Sequence, residues 1–197
     1  LLHGIARRSG SLAALENALQ ADNYRTLNID YPARSHSIED IVAFMREPVA
    51  RFCGEFEGRL HFVTHSMGGL VARAYINRHR PNRLGHVVML APPNQGSEIA
   101  DVLGNNLLFR AFFGPAGSEL GTARPDALCE ALGEVDYPLG VIAGDRSFYP
   151  IGSLMLPGAN DGRVSVERTK VAGMADHITI HSTHPLIMRN REAIAQT

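Results

Sequence analysis

Thr64-His65-Ser66-Met67-Gly68-Gly69 stands between an apolar stretch, Leu60 to Thr64, and a helical pattern that starts at about Gly69. A serine between a strand end and a helix start, followed by small residues, has the setting of a nucleophile elbow. The chain must turn so sharply there that the central side chain projects from the sheet. Gly68 admits a close neighbouring backbone, and Gly69 lets the helix pack near the sheet. A serine at a helix start also sits where backbone N–H groups and the helix dipole favour developing negative charge. The chemistry this supports is nucleophilic attack by Ser66. The plain alternative is a strand-to-helix turn that happens to carry a serine, so the partners decide.

A serine hydroxyl is a weak nucleophile and needs a base, usually a histidine that a carboxylate holds in one tautomer. Nine histidines are available, and position chooses among them. In open parallel sheets, sites form outside the carboxyl ends of the strands. His184 lies just past such an end and just before a helical pattern. His177 is at the opposite end of the same strand, roughly 15 Å away at about 3.3 Å per residue. His181 reads as a packing or surface residue. His61, His79 and His86 fall on strand starts or a helix end, and His36 is a weak competitor beyond the stretch that ends near Tyr31. His184 is therefore the expected base. For the carboxylate, Asp145 directly follows the stretch Leu139 to Gly144, and Asp161 lies in the turn Asn160-Asp161-Gly162. On spacing alone the two are rivals. The backbone N–H of Met67, next after the nucleophile, is an expected donor to an oxyanion.

These residues need elements to carry them. Leu1-Leu2 reads as a strand end, and Ser11 as the cap of a helix with Leu12, Leu15 and Leu19 on its apolar face. Tyr24 to Tyr31 reads as a strand. Ser37 and Asp40 open a helix carrying Ile41, Met45, Val49 and Phe52, which Pro48 should kink. After the elbow a helix runs to about His79, and His86 to Ala91 is a buried strand. A less regular region spans Pro92 to Asp136. Strands follow at Leu139 to Gly144 and His177 to Ser182, and Pro185 starts a last helix that reaches Thr197. This alternation predicts an α/β fold, a mostly parallel central sheet flanked by helices, in a single domain over 1–197.

Composition narrows the function classes. The chain has 197 residues, 45% of them hydrophobic and 20% charged, with a formal net charge of -1. Neither the balance nor any run is strongly basic, so nucleic acid is not an expected partner. Cys53 and Cys129 have no metal-ligand spacing and allow one disulfide at most. No stretch approaches the roughly 20 apolar residues of a membrane span. The chain contains no signal peptide, which makes a cytoplasmic location the expectation. Its opening at Leu1, without Met and at a strand end, points to lost upstream sequence.

Leu2-His3-Gly4, the elbow at Thr64 to Gly69, Ala91-Pro92-Pro93-Asn94-Gln95-Gly96-Ser97, Asn160-Asp161-Gly162 and His184 occur in that order. The ordered set resembles the α/β-hydrolase superfamily, in its bacterial lipase and esterase-like branch. The resemblance spans the chain from Leu2 to His184, although each motif is weak alone. It implies that Asp161 is the acid, in the order Ser66, Asp161, His184. It implies a His-Gly oxyanion loop at His3-Gly4-Ile5, with the Ile5 N–H as the second donor. It also implies an ester substrate, small or lipid-like, and no cofactor. Two departures stand out. Thr64 replaces the first glycine of the elbow, where a strand-like backbone tolerates it. Some bacterial lipases of this type carry a calcium-binding Asp shortly after the triad His. Here Pro185-Leu186-Ile187-Met188-Arg189-Asn190 has no acid, so no metal is expected.

Two further readings belong to the same residues. Residues 97–136 lie where relatives insert caps or lids. The apolar stretch Val102 to Phe113 within them is either a core helix or an acyl-site wall. The expected activity is a serine-dependent cleavage of carboxylic esters through an acyl-enzyme. An acyltransferase or thioesterase would use the same parts, and a catalytically silent binding protein on this fold would not need the full set.

Overall fold

The computed structural model describes residues 1–104, 107–148 and 156–197, with the side chains at 103–112 outside the description. In chain order the described elements are α1 (Ala13–Ala21), α2 (Ile38–Gly54), β1 (Leu60–His65), α3 (Met67–His79), β2 (Leu84–Leu90), α4 (Glu98–Gly104), α5 (Leu107–Ser118), α6 (Asp126–Leu132), β3 (Leu139–Gly144), α7 (Val166–Thr169), β4 (Asp176–Ile180) and α8 (Arg191–Gln196). Short 3-10 turns at Ser9–Leu12 and Ile187–Arg189 precede α1 and α8.

Successive strand side chains point to opposite faces, so a strand with apolar residues at both parities must be covered twice. Phe62, Val87, Met89, Leu139 and Val141 enter one core, with Ile38, Ile41 and Met45 of α2, Leu70 and Val71 of α3, and Leu128 and Leu132 of α6. Val63, Leu90, Ile142 and Ile180 enter the other, with Leu12, Leu15, Ile187, Met188 and Ala193. The strands pair in parallel in the order β1-β2-β3-β4. Helices on both faces of an all-parallel sheet make this an α/β fold, as the alternation predicts.

Leu2 extends the sheet by single parallel bridges, to Thr64 on one side and Ile29 on the other. Across the sheet the order is therefore Ile29, Leu2, β1, β2, β3, β4. From Leu2 the chain runs to α1 on one face; from β1 it runs to α3 on the other. The direction of winding reverses between Leu2 and β1, and such a switch point opens a crevice at the carboxyl edge. The residues that enter this crevice are His3-Gly4-Ile5 and Ser66.

Several expectations change. Tyr24 to Tyr31 is not a strand: it joins the sheet by a single parallel bridge, Ile29 to Leu2, with the Ile29 N–H donating to the Leu1 carbonyl at 3.3 Å. Ser11 does not cap α1. Its hydroxyl donates back to the Arg8 carbonyl at 2.7 Å inside the 3-10 turn, and the helix starts at Ala13. Ser37 and Asp40 do form the expected box at the start of α2. That helix runs through Pro48 to Gly54 without a break, with Met45 and Val49 on either side of it fixed in the core. The helix after the elbow begins at Met67, directly after Ser66. The region after Pro92 contains α4, α5 and α6 rather than irregular chain. The last helix is split, because Asn190 caps α8 with its side chain at Glu192 and Ala193. Both cysteines are free.

α5 is interrupted at Gly114, whose φ is 64°. A Cβ there would lie 1.6 Å from the Arg34 carbonyl oxygen, so this glycine lets α5 press on the loop before α2. Nearby, Glu119 accepts the Ile38 N–H at 2.9 Å. Gly114→Ala combines left-handed strain with a backbone collision. It should destabilise the fold by more than about 1–3 kcal/mol, the usual cost of strain alone, as read by urea unfolding against the wild type.

Candidate active site

Ser66 sits at φ 55°, ψ -126°, outside the regions that side-chain-bearing residues normally occupy. Its N–H donates to the Leu90 carbonyl of β2 at 2.9 Å, which fixes the turn from the adjacent strand. Gly68 makes the turn possible. A Cβ at Gly68 would stand 2.4 Å from the Leu2 carbonyl oxygen and 2.8 Å from that of His3. Thr64 remains in β1, fully buried, and its hydroxyl reaches the Val88 carbonyl at 3.5 Å. Bulk there is accommodated because the position is still strand.

His184 follows β4 and brings its Nε2 to 3.0 Å from Ser66 Oγ. Its Nδ1 lies 2.7 Å from Asp161 Oδ2. A carboxylate only accepts, so Nδ1 carries the proton and Nε2 is free to accept the serine hydroxyl. The other Asp161 oxygen accepts the N–H of Arg163 at 2.9 Å and of Val164 at 2.8 Å. All three side chains are nearly inaccessible. Of the two carboxylates that spacing leaves as rivals, Asp161 is the one within hydrogen-bond reach of His184. Asp145 instead meets His181 at 2.9 Å, a pair whose histidine side chain is 70% exposed. His177 turns to the Thr169 hydroxyl at 2.9 Å. The three histidines around β4 therefore face three different partners.

The loop after Leu2 is held by its own ring. Burial lowers the His3 pKa below the ordinary 6.5, and the ring nitrogen Nε2 acts as an acceptor, as only a neutral imidazole can. Its Nδ1 donates to the Gly4 carbonyl at 2.9 Å, and its Nε2 accepts the Tyr31 N–H at 3.4 Å. The ring stacks on Tyr31 with centroids 4.0 Å apart, and the Tyr31 hydroxyl donates to the His3 carbonyl. Gly4 packs on Ser66: a Cβ there would be 3.0 Å from Ser66 Cβ. The N–H groups of Ile5 and Met67 have no acceptor among the described residues. The loop after β2 is also pinned. Arg124 donates to the Asn94 carbonyl at 2.7 Å, Arg73 reaches Asn94 Oδ1 at 3.3 Å, and Asn94 Nδ2 donates to the Thr169 carbonyl at 2.8 Å. Ser97 Oγ donates to the Arg163 carbonyl at 2.7 Å, which ties that loop to the turn carrying Asp161.

A family profile described as the alpha/beta hydrolase family matches residues 1–196. The chain belongs to this family. No curated protein sequence matches it. Among solved structures, this alpha/beta hydrolase fold is similar to the mature form of Bacillus licheniformis lipase BlEst2, with TM-score 0.83, 18% identity, and coverage of 95% of this chain and 84% of that one. It is similar to the metagenomic carboxyl esterase MGS0156, with TM-score 0.69, 18% identity, and coverage of 94% and 64%. It is also similar to the phospholipase PlaB from Legionella pneumophila, with TM-score 0.67, 20% identity, and coverage of 86% and 44%. The chain therefore spans less than half of the phospholipase's length. At these identities the likeness is one of fold.

Two features of this alpha/beta hydrolase site escape the sequence reading. His65 is buried against His184, with Nε2 at 3.0 Å from the His184 carbonyl; its position next to Ser66 was the available signal. Ser97 tethers the acid turn, and no local pattern marks it. A cavity of about 870 Å³ opens elsewhere, at the amino edge of the sheet between Tyr24, Phe52, His61 and His86, and contains none of Ser66, Asp161 or His184. Among the described residues no helix is long and apolar enough to cross a membrane. The side chains of Leu107, Leu108 and Phe112 lie outside the described residues, while half-buried Phe113 packs on the first core.

Burial lowers the pKa of His3, and lowers that of His65 well below 6.5, with the neighbouring His184 a further cause. Above the ordinary value both rings are neutral whether folded or unfolded. Below it, the unfolded chain takes up protons that the folded rings refuse, so stability falls as pH drops from about 6.5 towards the lowered folded values and levels off beneath them. Unfolding free energy from urea titrations should therefore decline between about pH 7 and pH 5. His65→Gln, which has no titrating ring, should show a shallower decline than wild type.

Proposed function

We propose that this alpha/beta hydrolase family member is a serine esterase that cleaves carboxylic esters through an acyl-enzyme. The observation that carries the reading is the 3.0 Å approach of His184 Nε2 to a serine oxygen held on a strained turn. Ser66 Oγ attacks the ester carbonyl while its proton passes to His184 Nε2. Asp161 stabilises the resulting imidazolium at Nδ1. The N–H groups of Met67 and Ile5 receive the tetrahedral oxyanion, in keeping with their lack of other acceptors. His184 then gives its proton to the departing alkoxide, and the C–O bond breaks. Water, deprotonated by His184, attacks the acyl-enzyme; the serine recovers its proton, and the carboxylic acid leaves. The structural neighbours, a lipase, a carboxyl esterase and a phospholipase, support an ester substrate, small or lipid-like.

The cap segment within 97–136 forms one wall of this site in our reading. A Cβ on Gly117 would meet Ile5 Cδ1 at 3.6 Å, so the end of α5 lies on the oxyanion loop.

Fluorophosphonate labelling and p-nitrophenyl ester turnover test the assignment. Ser66→Ala should abolish labelling and lower turnover by several orders of magnitude, with the fold retained. Asp161→Asn should cost roughly 10⁴ in kcat, because His184 is left in the wrong tautomer. Asp145→Asn should change kcat little, since that carboxylate serves an exposed histidine. Undiminished hydrolysis by pure Ser66→Ala protein would refute the mechanism, and a severe Asp145 effect beside a mild Asp161 effect would reverse the acid.

A further inference from the structure

His184 must hold its imidazole between two partners on different elements, and its own peptide is fixed at both ends. Its N–H donates to the Asp161 carbonyl at 3.0 Å. Its carbonyl lies 3.0 Å from His65 Nε2. A carbonyl only accepts, so His65 carries its proton on Nε2 and presents a bare Nδ1. That Nδ1 is buried and has no partner among the described residues. It points toward Gly4: a Cβ added there would be 3.0 Å away. The His65 and His184 rings lie 4.9 Å apart, tilted by 49°. One side chain, two per cent exposed, therefore touches the elbow, the oxyanion loop and the backbone of the base.

We propose that His65 is a positioning residue that locks the elbow to the peptide of His184 and so fixes the Ser66–His184 approach. The proposal rests on the esterase reading of the site. An unpartnered Nδ1 is tolerated because a ring with only one hydrogen bond still holds the tautomer that donates to His184. A donor at this place must stay neutral, since a second cation would lie against the forming imidazolium. Burial, His184, Arg7 and Arg163 all disfavour its charged form, opposed only by the bond to the His184 carbonyl.

The test compares His65→Gln with His65→Phe. Gln offers an N–H near the place of Nε2–H, whereas Phe fills the volume without a donor. Turnover of a p-nitrophenyl ester, fluorophosphonate labelling rate and melting temperature are measured for each. The Phe variant is expected to lose roughly 10- to 100-fold in kcat with little change in KM, the cost of a small misplacement of a catalytic group. The Gln variant is expected to recover most of that loss. A folded Phe variant with wild-type kcat overturns the proposal. Equal losses in Gln and Phe also overturn it, because ring volume alone would then matter. If the Phe variant does not fold, ¹⁵N NMR of the wild-type imidazoles decides. A His65 that stays in the Nε2–H tautomer from about pH 5 to 8 is expected; a ring that titrates in that range, or an Nδ1–H tautomer, overturns the clamp. Wild-type protein inert to both ester and probe overturns the esterase reading, and the positioning role with it. Active wild type with an indifferent His65 overturns the positioning role alone.

Discussion

The contact between Gly68 and the carbonyls of Leu2 and His3 sets the arrangement of everything around it. Backbone meets backbone there at distances no side chain allows. It brings the first turn of α3 onto the end of the Leu2 strand segment, at the point where the winding of the sheet reverses. The oxyanion loop and the elbow therefore leave the sheet side by side. The remaining partners arrive from β3 and β4 in parallel register, and their loops fold back over the same edge.

Around this contact many polar side chains are anchored to backbone groups as well as to each other. Asp161 binds two N–H groups of its own turn, and Asn94 holds Thr169 while guanidinium groups hold Asn94. Burial lowers the pKa of Arg124 to about 10, yet its donors reach the carbonyls of Pro93 and Asn94. Carbonyl dipoles satisfy buried donors without importing opposite charge. The carboxyl edge thus keeps one buried carboxylate aimed at one imidazole, with two neutral rings, His3 and His65, as supports.

Much of this was legible in the residues. The alternation of strands and helices predicted a parallel sheet covered on both faces, and chain position put Ser66 at a strand-to-helix turn and His184 just past a strand's carboxyl end, where the structure has them. The acid was not decidable from spacing. Asp145 and Asp161 both follow β3, and only the return of the 160–164 turn over the sheet edge separates them. The strand expected at Tyr24 to Tyr31 is reduced to one bridge at Ile29, because β-propensity is local and says nothing of how far a neighbour pairs. His65 was hidden for a similar reason: the carbonyl it serves is 119 residues away, and no periodicity encodes that meeting. The reading of 92–136 as a less regular region offered a helix only over Val102 to Phe113; α4 and α6 are seven residues each, and α5 is interrupted at Gly114.

Ser66 adopts a backbone conformation that glycine enters freely and serine does not. Strain of this kind amounts to about 1–3 kcal/mol in ordinary cases, a sizeable part of a domain's margin of roughly 5–15 kcal/mol. Position 66 is therefore one place where the sequence stands away from its own stability optimum. Drift under selection for folding alone would carry this residue to glycine, and screens for thermostable variants would recover the same change. Homologues that have made that exchange would be recognisable from sequence as stable relatives that have left the chemistry behind.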